Sequence, residues 1–191
     1  NLNIIERSVS THKKAWVYGT PNKALALLFI NNGNGDLSYM INWNGDINSP
    51  ILLVERKPGT FKEIYNLSGS IYTLGADNFK SGLTSWGGEQ VSDRDENIVS
   101  EEYIVNIWNE INKMAEDGEI KIYFYPDRPD FIPLDNSDLI AKLIMVNDNT
   151  FTETFLALYP ELANRYYQTL EESSTNKEIQ DDSLLKYFTE N

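Results

Sequence analysis

A strand, a turn of small residues and a helix follow one another near the start of the chain, between Trp16 and Ala26. Gly19, Thr20 and Pro21 form the turn, and alanines occupy the first turns of the helix. Small residues at such a turn let a ligand approach the backbone N–H groups where the helix begins. The unit has two interpretations: a ligand-binding turn, or an ordinary connection between a strand and a helix that pack through alanine.

A carboxylate that could take part in bond cleavage lies further along, where Glu89 leads the strand-like Glu89-Gln90-Val91-Ser92. The earlier segment Ser70-Ile71-Tyr72-Thr73-Leu74 is also strand-like and carries an aromatic residue at its centre. A carboxylate beside a sugar–base bond can stabilise the positive charge that builds on the sugar as the bond breaks. The alternative for Glu89 is a solvated side chain at the end of a strand.

Taken in order, these segments resemble the ADP-ribosyltransferase-like fold family over residues 11–100. In that family a tyrosine, a small residue, a threonine and a helix with alanines frame the nicotinamide pocket, and a glutamate later leads a short strand. The resemblance implies NAD as the cofactor and Glu89 as the catalytic carboxylate. It further implies that Tyr18 stacks on nicotinamide, that Thr20 is a polar group of the pocket, and that Tyr72 lines it.

The sequence departs from the family at the first strand, where the family holds the cofactor with an Arg or a His-Gly pair. His12 and Lys13 stand here instead, and Thr73 follows Tyr72 where some toxins of the family carry Arg. Two alternatives are open: the first strand precedes this sequence, which begins with Asn rather than Met, or the protein does not bind NAD.

A second combination, Asp46 with Glu55 and Lys57, resembles the Asp…Glu-x-Lys core of metal-dependent nucleases. In that chemistry two carboxylates chelate Mg²⁺, and the lysine orients or deprotonates the attacking water. Alternation along a strand puts Glu55 and Lys57 on the same face. The Pro of the family's Pro-Asp leader is replaced by Gly45, and the alternative for Glu55 is again a solvated strand end.

The charge of the chain restricts its partners. Lys and Arg number 16 against 29 Asp and Glu, which gives a formal net charge of −13. Long-range repulsion therefore opposes nucleic acid and anionic membrane surfaces. An acidic surface complements a basic protein partner, as in an inhibitor or immunity-type protein, so a non-catalytic interaction protein is the alternative function.

Cysteine is absent and His12 is the single histidine, which excludes a disulfide framework and a zinc site built from Cys and His. The longest apolar run, residues 24–30, is much shorter than the roughly 20 residues that cross a bilayer. The N-terminus also lacks the pattern of a signal peptide. We therefore expect a soluble, cytoplasmic protein.

The order of the elements predicts an α+β fold with a mixed or antiparallel sheet body and a mostly helical C-terminal portion. The body spans residues 1–133 and the helical appendage residues 134–191, with an acidic linker at 171–182, although the whole chain could form one single domain. One helix is predicted to begin with Thr20 as its N-cap. Another is predicted to begin with Ser100 as its N-cap, because apolar residues recur at helical spacing from Tyr103 to Ala115.

Overall fold

The structure, a computed structural model, describes residues 5–6, 15–33, 37–46, 48–84, 87–146 and 149–175. It divides the chain into two compact units, Asn1–Tyr125 and Pro126–Asn191. In the described residues the first unit contains strands and helices, whereas the second contains helices and a short 3₁₀ turn. The predicted α+β class is confirmed, and so is the helical C-terminal portion.

The strands of the first unit are short and belong to several small sheets. They are Ile5–Glu6 (β1), Ala15–Gly19 (β2), Tyr39–Asn42 (β3), Ile51–Glu55 (β4), Gly69–Leu74 (β5), Lys80–Ser81 (β6), Gln90–Ser92 (β7), Ile98–Ile104 (β8) and Ile120–Tyr123 (β9). In the described part of the chain one antiparallel sheet has the order β1-β2-β7-β6, and β5 and β8 form an antiparallel pair. The remaining sheet, β3-β4-β9, is mixed, since β3 is antiparallel and β9 parallel to β4.

The helices of the first unit are Lys23–Leu28 (α1), Thr60–Ile64 (α2) and Ile107–Glu116 (α3). Leu25 and Leu28 of α1 are fully buried in one core with Leu53 of β4 and Ile111 of α3. Burying a Leu or Ile side chain contributes about 1.5–3 kcal/mol. The Tyr65 hydroxyl donates to the Leu28 carbonyl at 3.1 Å, so α1 is held by a buried hydrogen bond as well as by apolar contact.

The predicted start of the long helix at Ser100 is wrong. Residues 98–104 form β8, which pairs with β5 from Gly69↔Ile104 to Leu74↔Ile98. Helix α3 begins only after Asn106, whose side chain caps it by accepting from the Asn109 N–H at 2.8 Å. The helical spacing of apolar residues extends into residues 98–104, but pairing with β5 makes this segment a strand.

The predicted N-cap of α1 is also wrong by two residues. Asn22, not Thr20, caps the helix, because its side-chain oxygen accepts from the Leu25 N–H at 3.0 Å. The Thr20 hydroxyl oxygen accepts from the Asn22 N–H at 3.2 Å, so Thr20 shapes the turn that precedes the helix.

The second unit contains the helices Asp138–Val146 (α4), Asn149–Leu158 (α5) and Ala163–Thr175 (α6), with the 3₁₀ turn Pro160–Leu162 before α6. Phe155 and Tyr159 are buried, and their rings stack with centroids 4.9 Å apart. The division falls after Tyr125, earlier than the predicted body that ended at 133. Arg128 explains the difference, because its guanidinium donates to the Pro133 carbonyl and to Asn136.

Part of the predicted acidic linker is helical, because α6 continues to Thr175. Residues 176–182 of that linker lie outside the described residues, and so do His12 and Lys13. Among the described residues no helix combines the length and the apolar character that crossing a membrane requires.

Candidate functional site

A cavity of about 550 Å³ opens in the first unit between the end of β2, helix α1 and strand β5. This volume lies within the range of roughly 300–1,000 Å³ that is typical of small-molecule sites. All four residues that the family resemblance implies line this one cavity: Tyr18, Thr20, Tyr72 and Glu89. We refer to it as the Glu89 cavity.

Pairing between β2 and β7 brings Glu89 to the turn after β2. Tyr18 lies opposite Val91 and Gly19 opposite Gln90 in this antiparallel ladder. Thr20 directly follows Gly19, and Glu89 directly precedes Gln90, so both lie next to the last paired residues of this ladder. Both also line the cavity, which the carboxylate and the hydroxyl therefore approach from adjacent strand ends.

Most of Glu89 is buried, and its carboxylate lies at the cavity wall. The residue is 9% exposed. The described residues include two other buried glutamates, and both are hydrogen-bonded. Glu55 accepts from the N–H groups of Phe61 and Tyr125, and Glu96 accepts from Ser92 and Asn78.

Glu89 differs from these two glutamates in its surroundings. Within the described part of the chain its carboxylate has no hydrogen bond and no ion pair. Burying a carboxylate costs free energy unless hydrogen bonds or an opposite charge compensate for it. A carboxylate placed in this way at a cavity wall is typical of a site that a ligand completes.

The turn that carries Thr20 is fixed by its own side chains. Thr20 accepts from the Asn22 N–H, and Asn22 in turn accepts from Leu25. The Thr20 hydroxyl acts as an acceptor in this contact, so its O–H hydrogen can donate to a ligand in the cavity. Before the turn, Tyr18 contacts Trp16 edge to face, with ring centroids 6.4 Å apart.

One face of α1 forms a wall of the cavity. Lys23, Ala26 and Phe29 all line it, and their spacing of three residues puts them on the same side of the helix. Ala26 at the middle of this face has a small side chain, which leaves room for a ligand. The opposite faces are buried in the core through Leu25 and Leu28.

Strand β5 and the turn after it form the facing wall, from Ser70 to Ala76. Tyr72 is an exposed residue on this wall. Phe79 covers the end of β2, where a Cβ atom at Gly19 would lie only 3.0 Å from the phenylalanine ring. The absence of a side chain at Gly19 therefore lets two walls of the cavity approach closely.

An ion pair that the sequence analysis missed joins two walls of the cavity. The Lys23 ammonium lies 2.8 Å from each carboxylate oxygen of Glu102, which is on β8. Both residues line the cavity and both are about half exposed. Their separation of 79 positions in the chain explains why no local pattern indicated the pair.

The two carboxylates of the nuclease-like motif, Glu55 and Asp46, form hydrogen bonds within the protein. Both Glu55 oxygens accept backbone N–H groups, which fix the start of α2 and the end of the first unit. Asp46 accepts from the Asn48 N–H, and this hydrogen bond, followed by one from Ser49, holds its pKa below the usual value. In the described ranges no group of three or more His, Asp or Glu side chains is arranged to hold a metal ion.

Comparisons of the chain with protein-family models, with curated proteins and with solved structures found no match. The likeness to the ADP-ribosyltransferase-like fold family therefore stays a prediction from residues 11–100.

Proposed function

We propose that this protein is an ADP-ribosyltransferase-like domain that binds NAD in the Glu89 cavity and breaks the bond between nicotinamide and ribose. One observation carries the proposal: a buried glutamate without a hydrogen bond or ion pair among the described residues lies on a ligand-sized cavity. Tyr18, Thr20 and Tyr72, which the sequence resemblance names independently, line the same cavity.

Each residue has a defined task in this reaction. Tyr18 and Tyr72 offer aromatic faces to the nicotinamide ring, and the Thr20 hydroxyl donates to a polar group of the ligand. When the glycosidic bond breaks, its electron pair goes to the nicotinamide nitrogen and positive charge builds on the ribose. The Glu89 carboxylate stabilises that charge and holds a ribose hydroxyl, and an acceptor nucleophile then bonds to the ribose and releases its proton.

The proposal is tested with NAD and the full chain. We expect NAD to raise the melting temperature, since a ligand present at a hundred times its Kd stabilises a protein by about 2.7 kcal/mol. We also expect release of nicotinamide, measured by chromatography. Glu89→Gln should lower that rate at least about a hundredfold, as removal of a charge-stabilising group at a transition state does.

The stability of the variants separates a catalytic role from a structural one. Because Glu89 is buried without a partner, Glu89→Gln should leave the melting temperature unchanged or raise it. Glu63→Gln is the matched control, since Glu63 is exposed on α2 away from the cavity, and it should change neither turnover nor stability. The proposal fails if millimolar NAD produces no thermal shift and no nicotinamide is released.

A second candidate function is suggested by β8. Val99 and Tyr103 of β8 are 70% and 63% exposed, Val105 just after the strand is 78% exposed, and Glu101 lies between the first two. We infer that this strip binds an extended, basic segment of a protein partner, whose apolar residues would cover the strip and whose cations would meet Glu101. This function predicts that the affinity for a basic partner falls as the salt concentration rises.

A further inference from the structure

The ion pair between Lys23 and Glu102 lies where a ligand of the Glu89 cavity would contact it. Lys23 is the first residue of α1, Glu102 belongs to β8, and both side chains line the cavity. The Lys23 ammonium lies 2.8 Å from both carboxylate oxygens of Glu102, so this carboxylate occupies the position beside Lys23 where another anion could bind.

The charges on the cavity wall decide where an anionic group can bind. Among the described residues that line the cavity, Lys23 is the one cation, and Glu89 and Glu102 are the anions. Away from Lys23, the charged groups that a phosphate would meet among these residues are both carboxylates. Attraction between unit charges a few ångströms apart near a protein surface is large enough to influence where an anion binds. Charge therefore favours Lys23 as the position of an anionic group.

Glu102 competes with such a ligand. The two side chains are 48% and 53% exposed, and ion pairs of this exposure contribute little net free energy. The diphosphate of a dinucleotide carries two negative charges, one on each phosphate, against one on a carboxylate, and its oxygens make strong charge-assisted hydrogen bonds with ammonium groups. A phosphate can therefore displace the carboxylate, and Glu102 can turn to solvent at small cost.

We propose that Lys23 forms an anion subsite of the Glu89 cavity for the diphosphate of a dinucleotide, and that Glu102 occupies this subsite until the ligand displaces it. The identification of the ligand as a dinucleotide rests on the proposed NAD function, whereas the binding of a diphosphate group depends only on Lys23. Glu102 thereby lowers the affinity for the diphosphate, by up to about fivefold for a pair of this exposure.

The test uses inorganic pyrophosphate and calorimetric titration of the full chain. Glu102→Gln should raise the affinity for pyrophosphate up to about fivefold, and Lys23→Met should remove binding. The pair Lys113 and Glu110 on α3 supplies the controls, since it is also a Lys–Glu pair at the surface, with side chains 67% and 25% exposed, but does not line the cavity. Lys113→Met and Glu110→Gln should leave the affinity for pyrophosphate unchanged.

The double variant separates competition for Lys23 from a general effect of negative charge. If Glu102 acts through Lys23, Glu102→Gln gives its gain in wild type and none in the Lys23→Met background. An equal gain in both backgrounds overturns the proposal. It is also overturned if neither wild type nor Glu102→Gln binds pyrophosphate, or if Lys23→Met binds it as wild type does.

The two proposals fail separately. Pyrophosphate has no nicotinamide ring, so its binding tests the Lys23 subsite without testing the NAD function. If the variants change pyrophosphate affinity as expected, but NAD gives neither a thermal shift nor turnover, the Lys23 subsite is supported and the NAD function is contradicted. Binding of NAD that is unchanged in Lys23→Met supports the NAD function and overturns the subsite.

Discussion

Glu89 is held in its buried position by the glycine before it. A Cβ atom at Gly88 would lie 2.9 Å from a methyl carbon of Leu25 and 3.0 Å from the Trp43 ring. Both of these side chains belong to the core of the first unit. The backbone can therefore approach the core at residue 88 only without a side chain, and this approach directs the next residue to the cavity wall.

We expect Gly88→Ala to destabilise the protein by about 1–3 kcal/mol, as inserting a methyl group into a packed core does. It should also weaken any ligand binding that depends on Glu89, because the segment that carries the carboxylate has to move. The free energy of unfolding in urea measures the first effect, and titration with NAD the second. Gly87→Ala is the control, since Gly87 is exposed and a Cβ there would meet nothing within 4 Å. Equal stability of the two variants would show that the contact at residue 88 is unimportant.

Helix α3 shows which part of an element can be predicted from a pattern. Ile107, Ile111 and Met114 recur at helical spacing, and all three are buried on one face of the helix. The same spacing extends back to Tyr103 and Ile104, which lie in β8 instead. Local spacing identifies the buried face, but it does not reveal that residues 98–104 have a strand partner in β5.

The position of the helix start gives a direct test. Asn106→Ala should lower the free energy of unfolding by about 1 kcal/mol, because it removes the oxygen that accepts from the Asn109 N–H. Ser100→Ala, which changes the N-cap that the sequence pattern indicates, should alter it by no more than about 0.5 kcal/mol, since Ser100 is exposed within β8. Urea denaturation measures the free energy of unfolding of both variants. A larger loss for Ser100→Ala than for Asn106→Ala would contradict the observed boundary.

At the scale of the whole molecule, the net charge of −13 favours cationic partners and opposes anionic ones. This charge is consistent with both proposed functions in different ways. In the proposed partner site, a basic protein segment would be attracted to Glu101 beside the exposed strip on β8. In the proposed NAD site, a dinucleotide would be repelled at long range and would depend on Lys23, the one cation among the described residues of the cavity wall, and on contacts inside the cavity.

We expect a ten-residue peptide of alternating Lys and Val to bind β8 with an affinity that falls as ionic strength rises from about 0.1 M to about 1 M, where the Debye length shrinks from about 10 Å to about 3 Å. Tyr103→Ser should weaken this binding, because it removes an exposed ring from the strip. Tyr167→Ser is the control, since Tyr167 of the second unit is also an exposed tyrosine, at 55% against 63% for Tyr103. Fluorescence titration measures the affinities. Salt-independent binding, or equal binding by both variants, would contradict a partner site on β8.

The sequence by itself determined the composition-dependent properties and the local elements. Its net charge, its α+β class and the strand at Ser70–Leu74, which the structure extends to Gly69, follow from residue types and spacing, because these depend on neighbours close in the chain. The four candidate residues Tyr18, Thr20, Tyr72 and Glu89 were named from a resemblance in their order along the chain.

Only the tertiary structure decided whether these residues meet. Pairing of β2 with β7 brings Glu89 and Thr20 next to the last paired residues, Gln90 and Gly19, and Gly88 packs on the core just before Glu89. The same holds for Lys23 and Glu102, whose ion pair joins α1 to β8 across most of the first unit's sequence. Strand register and side-chain packing join residues that are far apart in the chain, and a pattern of neighbouring residues contains no information about such contacts.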